Sequence, residues 1–163
     1  MDKFVIFCKS YVGDVNRVKS LKDSIDRFNS DGIKFIVSVP ERDIPIFRNI
    51  LGIENYELIS DESILGQNLS EGWSKQQIVK SEFWKTGLCE NYLMIDSDSY
   101  FIREFSIKDF MYNEDTPYTV MHECKDLLQF ASRRGMGFVK ESFKSDRLYV
   151  QDIFGRSGRQ YDF

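Results

Sequence analysis

Short apolar runs alternate with segments of helical periodicity between residues 4 and 95 of this chain. Brief runs rich in β-branched and aromatic residues predict strands, whereas apolar residues recurring at helical spacing predict helices. The predicted strands are Phe4–Cys8, Ile33–Val39, Tyr56–Ser60 and Asn91–Ile95, and the predicted helices are Asp14–Phe28, about Glu41–Leu51, and Gly72–Thr86. This alternation predicts an α/β fold with a mostly parallel sheet, right-handed crossovers and helices on both faces.

The ends of the predicted helices carry recognisable signals. Asp14 stands where the first helix begins and is a candidate N-cap residue, and Gly87 is a natural stop for the third helix. Beyond Asp98 the pattern weakens, and a further strand, a helical turn and a terminal loop are expected at Tyr118–Met121, Lys140–Lys144 and Gly155–Phe163. No repeat or low-complexity linker interrupts the chain, so a single domain over residues 1–163 is expected.

Composition excludes several classes of protein. With 42% hydrophobic residues and 14 Phe among 163 residues the chain is not intrinsically disordered, and with 29% charged residues it is not an integral membrane protein. The net charge of −4 and the scattered basic residues argue against nucleic-acid binding. Three cysteines without a CxxC pair argue against a zinc site or a disulfide framework. Without a secretion signal or a long apolar run, cytoplasmic residence is expected, with peripheral membrane contact left open.

Two carboxylates directly follow the last predicted strand. Asp96 and Asp98 are spaced i, i+2, so they point to the same side if the extended conformation persists past Ile95. Open α/β sheets bind ligands just beyond the carboxyl ends of their strands. Mg²⁺ and Mn²⁺ are commonly held by one or two carboxylates together with substrate phosphates. The pattern therefore predicts a divalent cation that carries phosphate, and the alternative is a polar turn that only closes the strand.

The hydrophobic run followed by Asp-X-Asp resembles the DXD signature of nucleotide-sugar-dependent glycosyltransferases with the Rossmann-like GT-A fold. Over about residues 3–105 the chain is similar to a bacterial group of GT-A transferases. The residues in corresponding places are Lys9, Ser10 and Tyr11 with Asp14, then Val39, Pro40 and Glu41 with Asp43, then Gly72 and Trp73 with Gln76, Gln77 and Lys80. By this resemblance residues 1–105 are the nucleotide-sugar-binding half and residues 106–163 a partial acceptor-side region.

The resemblance also implies roles for individual residues. Asp98 is the expected direct metal ligand, and Asp96 contacts the ribose or a metal-bound water, although the two roles could be exchanged. Lys9, Ser10 and Tyr11 are expected to seat the nucleotide base, with Tyr11 offering a stacking face; the alternative is that they only begin a loop. The implied partners are a nucleoside-diphosphate sugar, with UDP-sugar favoured, Mn²⁺ or Mg²⁺, and a glycan acceptor in polysaccharide biosynthesis.

The helix with Trp73, Gln76, Gln77, Lys80 and Trp84 groups polar and aromatic residues at helical spacing. Lys80 is a candidate phosphate contact, and Gln76 or Gln77 a candidate hydrogen-bond partner of the sugar or nucleotide. The alternative places both tryptophans in the core and Lys80 on the surface. His122, the single histidine, is expected to be an ordinary residue, and Asp61 and Glu62 either approach the nucleotide or belong to a solvated loop.

Other functions compete with sugar transfer. A haloacid-dehalogenase-type phosphatase also uses Asp-X-Asp after a strand, but its pattern has Thr or Val where this chain has Tyr100. An EF-hand needs a third ligand and a Gly that are missing here. The stronger rival is a nucleotide-sugar-binding module without turnover, because only 65 residues follow Asp98 and the ending at Gln160–Phe163 resembles a shortened family member. No general base can be named.

Overall fold

The structure is a computed structural model that describes residues 1–66 and 73–118, together with positions 129, 132–137 and 141. The chain divides into two compact units, Met1–Tyr118 and Thr119–Phe163. Most of the second unit lies outside the described residues. So do His122, the strand expected at Tyr118–Met121 except Tyr118, the helical turn expected at Lys140–Lys144 except Glu141, and the loop expected at Gly155–Phe163. The prediction of a single domain therefore stays a prediction.

The first unit is built on a four-stranded parallel sheet with the strand order β3-β2-β1-β4. Its strands are β1 (Asp2–Lys9), β2 (Lys34–Val39), β3 (Glu57–Ser60) and β4 (Cys89–Met94). All four of the predicted strands are present, with ends that differ by at most two residues. Because every strand is parallel, all four carboxyl ends meet at one edge of the sheet.

Helices cover both faces of this sheet, as predicted. They are α1 (Val15–Phe28), α2 (Ile44–Leu51), α3 (Asp61–Leu65) and α4 (Trp73–Glu82). Alternate residues of β1 enter two separate cores: Ile6 packs with apolar residues of α1 and α2, whereas Phe7 packs with Val79 of α4 and stacks on Phe83 at 3.7 Å. The α/β class with helices on both faces of a parallel sheet is thereby confirmed.

The helices differ from prediction in detail. A 3₁₀ turn at Glu41–Asp43 precedes α2, and another at Phe83–Thr86 follows α4 and ends at Gly87, whose φ of +64° is left-handed as expected of a helix stop. The short helix α3 was not predicted. Asp14 stands at the N-cap position of α1, but its side chain makes no capping hydrogen bond.

After β4 the chain runs beside α1 and is bonded to it at three levels. Ser97 donates to the Asp14 carboxylate at 3.4 Å near the start of α1, and the Phe101 amide donates to Ser24 Oγ at 3.0 Å in the second half of the helix. The Phe105 amide then donates to the carbonyl of Phe28, the last residue of α1, at 3.0 Å. These contacts lead the chain from the carboxyl edge of the sheet back to the amino edge.

None of the helices in the described part of the chain combines the length and the apolar character that a membrane span requires.

Candidate functional site

The strand order switches between the carboxyl ends of β1 and β4, and the space beyond these two strand ends is called the crevice below. Along the chain β2 and β3 lie on one side of β1, whereas β4 lies on its other side. Such a switch in strand order is where open α/β sheets bind their ligands. Lys9 is the last residue of β1 and residues 10–14 follow it, whereas residues 95–98 follow β4, so both predicted site segments border this crevice. The hydrogen bond between Ser97 and Asp14 joins the two segments.

The two carboxylates after β4 lie in a turn, not in an extended strand. The strand ends at Met94, although the Ile95 amide still donates to the Phe7 carbonyl of β1 at 2.9 Å. The Ser99 amide then donates to the Asp96 carbonyl at 3.1 Å, which closes a turn. The condition under which the two side chains would point to the same side, an extended backbone past Ile95, is therefore not met, because Asp and Ser readily form turns. Asp96 and Asp98 are nevertheless both exposed, while Ser97 between them is buried. Both acids thus face solvent at the crevice.

Lys80 and Asp96 form an ion pair at this edge of the sheet. Lys80 Nζ lies 2.5 Å from Asp96 Oδ1, and it comes from α4, whose Val79 is fully buried against the sheet. The Lys80 side chain is 14% exposed, whereas that of Asp96 is 65% exposed. A residue expected to contact phosphate and a residue expected near the metal are therefore brought together. Within the described residues, no side chain pairs with the carboxylate of Asp98.

Lys9 is held in a buried ion pair at the same edge of the sheet. Its Nζ lies 3.0 Å from Asp61 Oδ2, and both side chains are almost fully buried. Ser38 of β2 donates to the other oxygen of Asp61, and Lys9 also donates to the carbonyl of Ser10. Burial raises the pKa of Asp61, and Lys9 opposes that shift. The solvated-loop interpretation is wrong for Asp61.

The loop after β1 carries Tyr11 over a glycine. Tyr11 is 42% exposed, and a Cβ placed on Gly13 would lie 2.5 Å from its ring. The glycine therefore lets the ring lie close to the loop backbone. The buried carboxylate of Asp43 accepts a hydrogen bond from the Val12 amide at 2.8 Å and fixes this loop to the start of α2. Ser10 is buried, and its hydroxyl has no partner among the described residues.

Glu62 and Lys75 form a second polar contact that sequence reasoning missed. Glu62 accepts from the Glu41 amide at 2.9 Å and from Lys75 Nζ at 3.3 Å. Burial raises the pKa of Glu62, but the backbone amides and Lys75 outweigh it, so that the pKa is lowered overall. Lys75 gave no signal in the sequence beyond its place in α4.

The remaining predicted residues of α4 have mixed positions. Gln76 is half-buried and Gln77 is exposed, while the side chain of Trp73 lies outside the described part. Trp84 is 61% exposed in the 3₁₀ turn after α4, so the alternative that it belongs to the core is wrong. Phe83 beside it takes the core position instead.

Cys8 lies at the end of β1 and is fully buried. Burial raises the pKa of its thiol to about 12, and the charge of Asp96 adds to this shift while Lys80 opposes it. The thiol is therefore protonated at neutral pH and is not a nucleophile.

The donor set suits a cation that arrives with phosphate better than a prebuilt metal centre. Among the described residues, no cluster of three or more His, Cys, Asp or Glu side chains could hold a metal ion. Asp96 and Asp98 supply exposed, hard oxygen donors, and Mg²⁺ or Mn²⁺ commonly takes one or two carboxylates and completes its shell with water and substrate phosphates. The residues present fit that arrangement.

A cavity of about 680 Å³ lies at the opposite edge of the sheet. Its polar groups already bond one another: Lys34 pairs with Glu57 at 2.5 Å, and the Asn29 side chain exchanges two hydrogen bonds with the backbone of Ile33. Because it stands at the amino ends of the strands and its polar groups are satisfied, it is a weaker candidate than the crevice.

Comparison with known proteins identifies the family of the chain. A family model described as a family of unknown function, DUF6492, matches residues 5–136. No curated protein and no solved structure matches the chain.

Proposed function

Since the chain belongs to the DUF6492 family, whose function is unknown, its activity has to be argued from its own residues, and we propose that it is a metal-dependent glycosyltransferase of the GT-A type. The observation that carries the proposal is the position of the Asp96–Asp98 turn, at the crevice where the strand order switches and beside the ammonium of Lys80. In this proposal the donor is a nucleoside-diphosphate sugar, with a uridine nucleotide favoured, and the acceptor is a glycan. We place the reaction in the cytoplasm.

Asp98 and Asp96 hold Mn²⁺ or Mg²⁺ in this proposal. The bound ion supplies a Lewis acid that stabilises negative charge on the departing diphosphate. Lys80 adds a positive charge directed at the same phosphates from a helix packed against the sheet. Once the ion and Lys80 contact the phosphates, their charges lower the barrier because they need not reorient during the reaction itself.

The nucleotide base stacks on Tyr11 in this proposal. The ring is partly exposed, and the loop that carries it is fixed by the contact between Asp43 and the Val12 amide. Lys9 has a different role from the other two residues of its segment, because its ammonium is already engaged by Asp61. It holds the end of β1 and the loop in place beneath the nucleotide, while Ser10 offers a hydroxyl without a partner among the described residues.

A thermal-shift titration tests the proposal. The full chain is titrated with UDP-glucose, UDP-galactose and other nucleotide sugars, with and without Mn²⁺, beside Asp98→Asn and the matched control Asp23→Asn, which removes an exposed acid of α1. A sugar nucleotide at 100 times its dissociation constant stabilises the fold by about 2.7 kcal/mol. We expect this shift in the parent and the control, only with Mn²⁺, and not in Asp98→Asn. Equal responses of parent and Asp98→Asn, or no response to any nucleotide sugar, would contradict the proposal.

Turnover separates a transferase from a binding module. The purified chain is incubated with the sugar nucleotide that stabilises it, and release of nucleoside diphosphate is measured with and without Mn²⁺. Metal-dependent release supports the transferase, because a working donor site transfers some sugar to water. Tight binding without release assigns the chain to the binding class instead.

A further inference from the structure

In the ion pair between Lys80 and Asp96, the lysine is held by a packed helix, whereas the aspartate is exposed to solvent. Lys80 lies near the end of α4, next to the fully buried Val79, and only 14% of its side chain is exposed. Asp96 is 65% exposed and stands in a turn. The ammonium is thus held at the crevice by a packed helix, and it occupies one oxygen of the carboxylate that a cation needs.

A divalent cation at Asp96 and Asp98 has to compete with that ammonium. With Lys80 present, the three side chains together carry a net charge of −1, since one cationic and two acidic groups meet there. A divalent ion beside an ammonium group meets repulsion as well as the loss of the existing pair. A bound diphosphate removes this competition. Its negatively charged oxygens can bind the divalent ion and accept hydrogen bonds from the ammonium of Lys80 at the same time.

We propose that Lys80 makes cation binding at Asp96 conditional on a diphosphate: it pairs with Asp96 when the site is empty and moves to the phosphates when nucleotide and cation enter together. This inference rests on the proposed function, since it assigns a regulatory role to a residue of the same site. The pairing of Lys80 with Asp96 lowers the affinity of the Asp96–Asp98 turn for free divalent ions, so that the turn binds the ion mainly together with the nucleotide.

Binding measurements without turnover test the inference. Mn²⁺ alone is titrated into the full chain, and free Mn²⁺ is followed by electron paramagnetic resonance; UDP is then titrated by calorimetry at saturating Mn²⁺. Lys80→Met removes the charge and keeps most of the apolar stem. We expect it to bind Mn²⁺ alone about two- to fivefold more tightly than the parent, as expected when a competing ion pair is lost. The same variant should bind UDP with Mn²⁺ at least about fivefold more weakly.

Matched variants keep the result interpretable. Lys80→Arg keeps the positive charge and should resemble the parent in its affinity for Mn²⁺ alone. Lys85→Met removes a neighbouring exposed lysine, paired with Glu82, and should change neither affinity. If Lys80→Met does not fold, as judged by circular dichroism, Lys80→Gln takes its place with the same expectation.

The outcomes separate this inference from the proposed function. Mn²⁺ affinity of the charge-removing variant that is equal to or weaker than that of the parent overturns the inference. If Asp98→Asn still loses the Mn²⁺-dependent UDP binding, the proposed metal site survives that failure. If Asp98→Asn binds Mn²⁺ and UDP as the parent does, both the metal site and the role of Lys80 are wrong.

Discussion

The ammonium of Lys9 reaches across β2 to the carboxylate of Asp61, at a distance of 3.0 Å and almost completely out of contact with water. β1 and β3 are not neighbours in the sheet, because β2 lies between them, and its Ser38 bonds the second oxygen of Asp61. The pair thus joins three strand ends at the edge that carries the candidate site. A buried pair of this kind is costly to break, because the remaining charge is left without a partner.

Lys9→Met is expected to lower the free energy of unfolding by about 3 kcal/mol, since it leaves Asp61 buried without its cation. The double variant Lys9→Met/Asp61→Leu removes both charges and should regain much of that loss. Urea unfolding at pH 7 measures both values. Lys19→Met is the control, because it breaks the exposed pair with Asp23 and should cost at most about 1 kcal/mol. A Lys9→Met protein as stable as Lys19→Met would show that the buried pair contributes little.

Gly13→Ala is expected to displace the ring of Tyr11, because the added methyl group would overlap it. The ring is the movable end of a side chain, so stability should change by less than about 0.5 kcal/mol. UDP binding, measured by calorimetry with Mn²⁺, should weaken by about 1 kcal/mol if Tyr11 stacks on the base. When Tyr11 is already replaced by Ala, Gly13→Ala should not weaken UDP binding further. An equal loss of UDP affinity with and without Tyr11 would show that Gly13 does not act through the Tyr11 ring.

Ser24→Ala is expected to loosen the chain that follows the acidic turn. The variant removes the oxygen that accepts the Phe101 amide at 3.0 Å, and a part-buried amide without a partner costs about 1 kcal/mol. Hydrogen exchange at Phe101 should accelerate together with the loss of stability. Ser20→Ala on the exposed side of α1 should leave that exchange unchanged. Unchanged exchange in Ser24→Ala would mean that this bond does not hold the segment.

Glu62→Gln is expected to change how stability depends on pH. The pKa of Glu62 is lowered in the folded chain from its ordinary value of 4.5, so the unfolded chain binds more protons in this range, and stability rises with pH. The contribution of Glu62 is complete above pH 4.5 and is lost as pH falls through the folded pKa. Thermal unfolding between pH 3 and pH 7 should show Glu62→Gln less stable than the parent at pH 7 and the gap closing in acid. A gap that stays constant would mean that the charge of Glu62 plays no part.

The strands and the long helix were predictable because their burial leaves a direct mark on the sequence. Residues Phe4–Cys8 of β1 are buried on both faces and form an uninterrupted apolar run, and α1 buries Val18, Leu21 and Ile25 at helical spacing. The helix α3 was not predicted because it is short and begins with two acidic residues, a pattern that is typical of a charged loop. Its signal was present all the same: Ser60 caps it by accepting from the Ser63 amide at 3.1 Å.

The arrangement of the site was harder to predict than its residues. The sequence contains Lys9, Lys80 and Asp96 but does not reveal which acid each lysine meets, because that depends on the order of strands in the sheet. Only the placement of β4 beside β1 brings the acidic turn to the crevice. The turn itself overrode the strand pattern, since a hydrogen bond between Ser99 and Asp96 closes it one residue after the last ladder bond.

The attachment of the post-strand segment along α1 has a mechanical consequence for the acids ahead of it. With β4 on one side and the bond to Ser24 on the other, the residues between them have little slack. Asp96 and Asp98 therefore keep a fixed position relative to the sheet and do not move as a flexible loop would. In the proposed function, a nucleotide sugar therefore has to move to these two residues, and any closure over it has to come from other parts of the chain.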